Sequence, residues 1–146
     1  MPQAQTFLSE QEQLSITQAI REAEKKTSGE IRIHIEPHCK EDVMDRAAYV
    51  FEKLSMHTTQ LRNGVLFYIA YKDKQIAILG DAGINTKVPE NFWDSIYATM
   101  RTYFAQGDFV KGLQLAINEA GNQLAEHFPC KSDDINELSN EISFDV

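Results

Sequence analysis

The sequence predicts an α/β domain, and three features carry that expectation. Helical and strand-like hydrophobic periodicities alternate along the chain. Residues 65–71, VLFYIAY, form an almost unbroken apolar and aromatic run, and a strand of that composition needs cover on both faces. The polar turn Lys72-Asp73-Lys74 then leads into a second strand at 75–79, and so short a connection permits only an antiparallel hairpin. This hairpin is expected at the centre of the domain. No run approaches the roughly 20 apolar residues that a membrane helix requires.

The chain opens with Ser9-Glu10-Gln11-Glu12, a capping-box pattern in which hydroxyl and carboxylate each satisfy the other's backbone N–H. Ile16, Ala19, Ile20 and Ala23 then fall on one helical face. Lys25 and Lys26 suit that helix's C-terminal dipole, and Gly29 suits its C-terminal cap. Ile31, Ile33 and Ile35 alternate with Arg32, His34 and Glu36, which predicts a strand with one dry and one wet face, ended by Pro37. His34, Glu36, His38 and Cys39 hold metal-capable atoms without the spacing of a transition-metal site, so they are expected in solvent. Residues 41–55 predict a second helix with Val43, Ala47, Val50, Phe51 and Leu54 as its apolar stripe. Glu41, Asp42 and Asp45 complement its dipole, and Arg46 lies where it can turn toward the sheet.

After the hairpin, Gly80-Asp81-Ala82-Gly83 reads as a glycine loop that puts a carboxylate at a strand end, where open α/β sheets bind ligands. Pro89 is expected at the first position of a helix whose core residues are Trp93, Ile96, Tyr97, Met100 and Phe104. Gly107 closes that helix, and Asp108 can cap the next. Leu113, Ala116, Ile117, Ala120 and Leu124 form the face of this last helix. Gly112 and Gly121 weaken it unless they serve close packing against a neighbour. The chain thus divides into an α/β body, residues 1–130, and an acidic tail, 131–146, with Asp133, Asp134, Glu137, Glu141 and Asp145. Ile135, Leu138 and Ile142 keep helix-like spacing there. A short, weakly docked helix or turn is therefore expected, with disorder as the alternative.

With 22 acidic against 14 basic side chains, the formal charge is −8. That balance argues against nucleic acid, which needs clustered Lys and Arg, and is compatible with a cationic ligand. Nothing at the start resembles a signal peptide, and Cys39 and Cys130 lie far apart as expected free thiols. A soluble, cytoplasmic monomer is the expectation. The sequence has no GxSxG elbow, Walker loop, HExxH or EF-hand run. Asp81 and Asp108 remain as element-end carboxylates, the hard oxygen donors that Ca²⁺ or Mg²⁺ prefers. Taken singly, a turn former and a helix cap, respectively, account for them better than a metal site does.

Gly29-Glu30-Ile31, Arg62-Asn63-Gly64-Val65-Leu66, Gly80-Asp81-Ala82-Gly83-Ile84, and Gly107-Asp108-Phe109 followed by Gly112-Leu113 resemble, in order and spacing, the TPM domain. That family is named for a thylakoid lumen protein, a photosystem II repair protein and a nematode receptor modulator. The resemblance covers residues 14–128 and is to the short, soluble bacterial members. It implies a single three-layer α/β/α domain with a small central mixed sheet and helices on both faces. It also implies binding of a divalent metal, calcium with magnesium as the alternative, and an accessory or interaction role in protein maintenance with a protein partner. A low-turnover, metal-dependent acid phosphatase is the other activity it implies. By motif match, Asp81 and Asp108 are the metal candidates, and Asn63, Arg46 and Glu30 are the ligand-binding positions around them. Thr86-Lys87-Val88 stands where many relatives carry an acidic residue.

Overall fold

A computed structural model of the chain describes residues 7–130 and 138–145. The apolar run becomes β2 (Gly64–Ala70), buried along its whole length. β1 (Glu30–Glu36) lies parallel on one side of it, and β3 (Gln75–Gly80) lies antiparallel on the other. Two parallel neighbours need a crossover. Here α2 (Val43–Lys53) supplies it, followed by a 3₁₀ turn at Met56–Thr58. The sheet is mixed, as expected.

Side-chain alternation sorts the core into two layers. Ile31, Ile33, Ile35, Val65, Phe67, Ile69, Ile76 and Ile78 face α1 (Glu10–Glu24), α4 (Asp94–Ala105) and α5 (Phe109–His127). Leu66, Tyr68, Ala70 and Ala77 face the stripe of α2. The three-layer α/β/α arrangement follows, with helices on both faces. The capping box forms at the start of α1, with Ser9 N–H donating to Glu12 at 2.8 Å and Glu12 N–H donating to Ser9 Oγ at 3.1 Å. Gly121 accounts for the α1–α5 approach, since a Cβ there would stand 2.8 Å from Ala23 Cβ. Cys39 is buried and Cys130 exposed.

Several local expectations are corrected. The α1 helix ends at Glu24 with Lys25 as its cap, so Gly29 is not the capping residue. The chain there turns to meet α5, with Ser28 N–H bonding to the Phe128 carbonyl. The segment after β3 is not a free glycine loop: Asp81 caps a short helix, α3 (Ala82–Asn85). Pro89 does not begin α4. The turn bonds Phe92 N–H to Pro89 O and Asp94 N–H to Asn91 O precede it, and they turn Phe92 against Trp93 with ring centroids 4.7 Å apart. Asp108 stands at the cap position of α5, but its side chain makes no capping bond.

The largest correction concerns the wet face of β1. His34 is 0% exposed, and Glu30 and Glu36 are buried as well. Residues 138–145 close that side. They form no helix but bend at Leu138 and Glu141, and Ser143 bridges His34 in parallel. Ile135 lies outside the described residues. Leu138 enters the core beside α2, while Ile142 and Phe144 pack against the other core layer. Ser143 points with His34 to one side of the sheet, so Ile142 and Phe144, one position either side of it, point to the other layer.

Candidate functional site

The end of β3 delivers Asp81 to a site built mainly by backbone geometry. Asp81 N–H bonds to the Gly64 carbonyl at 3.0 Å, which fixes the residue beside the start of β2. The carboxylate accepts from Ala82 N–H at 2.7 Å. Arg62 grips it with a fork, Nε to Oδ2 at 2.8 Å and Nη2 to Oδ1 at 2.9 Å. This bond to Asp81 raises the proton affinity of the Arg62 guanidinium.

Arg62 reaches Asp81 from an unusual backbone position. Its φ is 52°, in the left-handed region that disfavours residues with a Cβ. The conformation is held by Arg62 N–H to Thr59 O at 3.2 Å and by Gly83 N–H to Arg62 O at 2.9 Å. Gly83 must be glycine for this contact, because a Cβ there would lie 2.1 Å from the Leu61 carbonyl oxygen. Strained residues held by surrounding structure concentrate at functional sites. The motifs Arg62-Asn63-Gly64 and Gly80-Asp81-Ala82-Gly83 are thus in physical contact.

Asp81 and Arg62 open onto a groove of about 430 Å³, also lined by Phe51, Glu52, His57, Leu79 and Gly80. The Asp81 side chain is 5% exposed and that of Arg62 is 49%. The acid is therefore sheltered while its cationic partner is half in solvent. Asn63 and Glu30 belong to the same end of the sheet but serve its framework. Asn63 Nδ2 donates to Ser28 O at 3.0 Å, its carbonyl accepts from Glu30 N–H, and Glu30 Oε1 accepts from Leu138 N–H at 2.6 Å.

Arg46 and Asp108 lie at the other end. Phe109, beside Asp108, packs edge-on against Phe7, which stacks on Tyr71 just beyond β2. The six residues of β3, at roughly 3.3 Å each, set the two ends about 20 Å apart. Asp108 therefore does not join the Asp81 groove. Arg46 turns toward the sheet, where it forks onto Glu36 at 2.8 and 2.9 Å. Glu36 also accepts from Tyr68 and meets His34 Nε2 at 2.9 Å. Burial alone would raise the Glu36 carboxyl, but the bonds from Arg46, His34 and Tyr68 outweigh it and hold it well below the usual carboxylate range. Burial, and then the bond to Glu36, pushes the Tyr68 phenol up.

Sequence reasoning missed Glu52 and His57 as groove residues, and it missed Arg62 as the partner of Asp81. Glu52 and His57 carry no motif, and only the crossover of α2 brings them to the end of β3. A second groove, of about 390 Å³, lies between the start of α4 and the end of α5, lined in part by Asp94, Ser95, Glu126 and His127. None of the sequence-predicted residues reaches it. Among the described residues, no three His, Cys, Asp or Glu side chains converge as a ready metal cage, and no helix is long and apolar enough to cross a membrane.

A three-layer α/β/α domain with an arginine-clamped acid at the end of an antiparallel strand defines the class. The family model for the TPM domain, designated TPM phosphatase, matches residues 2–123, and the chain belongs to the TPM domain family. It is similar to BA42 protein from the psychrophilic bacterium Bizionia argentinensis, whose NMR structure shares 50% identity over 94% of each chain with a TM-score of 0.90. The N-terminal domain of cg2496 protein from Corynebacterium glutamicum shares 13% identity, with a TM-score of 0.61 over 92% of this chain and 79% of that one. The second likeness concerns the fold alone. No curated protein matches the chain.

Proposed function

We propose that this TPM domain binds a divalent cation, calcium before magnesium, at the Asp81 groove, and acts as an accessory module in protein maintenance. The supporting observation is the sheltered Asp81 carboxylate whose charge is balanced by a half-exposed, exchangeable guanidinium. Glu52 lines the same groove and supplies a second hard oxygen donor. This donor set suits a hydrated cation held through few protein oxygens. It does not suit a closed transition-metal cage. Affinity on the order of 10⁻⁴–10⁻³ M is expected for so open a site.

Calorimetric titration with Ca²⁺ tests the reading. Asp81→Asn should abolish the heat of binding and Glu52→Gln should weaken it. Arg62→Ala should strengthen it by removing the competitor. Asp108→Asn, at the far end of the sheet, should bind as the wild type does and so controls for diffuse attraction to an acidic protein. A wild type that binds no Ca²⁺, or binding indifferent to Asp81→Asn, rejects the proposal.

A phosphatase reading has one specific observation in its favour: Arg62 and His57 line the groove with Asp81, and phosphoryl transfer relies on positive groups around developing charge. Hydrolysis of an aryl phosphate at acidic and neutral pH, lost on Asp81→Asn, would support it. Activity surviving that substitution would remove it.

A further inference from the structure

We propose that the outer edge of β1 is a strand-acceptor site for an extended peptide of the pattern acidic–apolar–serine–apolar–acidic, with the chain's own residues 138–145 as its resident occupant. β1 ends the sheet, and an edge strand offers backbone groups to any extended segment. Ser143 uses them: Ile35 N–H donates to its carbonyl and its N–H donates to the Ile33 carbonyl, both at 2.9 Å. Glu141 N–H, by contrast, donates to Ser139 Oγ rather than to β1. The resident ladder is therefore short, which keeps it exchangeable.

Side chains read the segment as well as the backbone does. Glu30, Arg32, His34 and Glu36 place four ionisable groups in a row on one face of β1, a composition that core burial would not select. Three of them engage the segment. Glu30 accepts from Leu138 N–H, His34 Nδ1 meets Ser143 Oγ at 2.9 Å, and Glu141 lies close enough to act on the charge of Arg32. With Ser143 opposite His34, parallel register puts Glu141 opposite Arg32. Yet Arg32 Nε is buried with no hydrogen-bond acceptor among the described residues. A buried donor left unmet is costly, so the position opposite Arg32 selects an occupant that carries an acid there, as the resident does with Glu141. Ile142 and Phe144, flanking the serine, add the apolar contacts.

Fluorescence anisotropy with a labelled peptide LSNEISFD, the sequence of residues 138–145, tests this on the full chain. Ser143→Pro deletes the N–H that binds Ile33 and empties the edge of its competitor. It should bind the peptide at least about tenfold more tightly than the wild type. Ser143→Ala keeps both backbone bonds and loses the hydroxyl, so a smaller gain of about threefold is expected. Replacing the peptide's glutamate by glutamine should weaken binding to Ser143→Pro, and replacing its serine by proline should abolish binding. Equal affinities for wild type and both variants overturn the proposal. So does absent binding to a Ser143→Pro protein with wild-type circular dichroism, or indifference to the glutamate. A concentration-dependent wild-type dimer that Ser143→Pro abolishes would assign the edge to exchange between two copies, and would likewise overturn it.

Discussion

Replacing Glu24 by glutamine should remove a pH dependence of stability, leaving the fold almost unchanged at low pH and more stable at high pH. Glu24 ends α1, and its Oε2 accepts from Ile31 N–H at 2.9 Å. Burial raises its carboxyl from the ordinary 4.5 to about 7, the Ile31 bond opposes this, and the nearby Glu30 charge adds to it. A carboxyl that holds its proton more tightly folded than unfolded favours folding at low pH. Stability falls as pH climbs from 4.5 to about 7. At 1.36 kcal/mol for each tenfold change in proton affinity, the full effect is about 3 kcal/mol. Glutamine keeps an acceptor for Ile31 and cannot ionise. Urea unfolding of both proteins at about pH 5 and about pH 8, analysed by linear extrapolation, measures the difference. Glu24→Gln should be near neutral at the lower pH and stabilising by about 2–3 kcal/mol at the higher one. A wild-type–variant difference that does not change with pH refutes the burial argument. The opposite limb belongs to Glu36, held below the usual range, whose contribution is present above about 4.5 and lost as pH falls.

Two further substitutions probe the framework. Gly83→Ala would drive a Cβ to 2.1 Å from the Leu61 carbonyl oxygen; no rotamer relieves a backbone overlap, so a lower urea midpoint and a loss of about 1–3 kcal/mol are expected. Stability within about 0.5 kcal/mol of the wild type would refute the Gly83 contact. Tyr68→Phe removes one donor from the buried Glu36 carboxylate and should cost about 1–3 kcal/mol in thermal or urea unfolding; an unchanged variant would show that Arg46 and His34 suffice.

Residue periodicity alone determined the central hairpin, the isoleucine face of β1, the stripe of α2 and the face of α5. Each of these rests on neighbours two to four residues apart, whose spacing a helix or strand reads directly. The order of short motifs pointed to the TPM family and to Asp81. Tertiary structure decided which groups those motifs meet. It gave Asp81 to Arg62 and to the groove of Glu52 and His57, and it carried Asp108 and Arg46 to the opposite end of the sheet. It also turned the wet face of β1 into a buried polar row by laying residues 138–145 against it. Alternation along a strand states which residues share a face. What covers that face depends on chain segments about a hundred positions away, as the bond from His34 to Ser143 (109 residues apart in sequence) illustrates. Local spacing carries no record of such a partner, because the free energy of pairing is realised only when the fold brings both segments together.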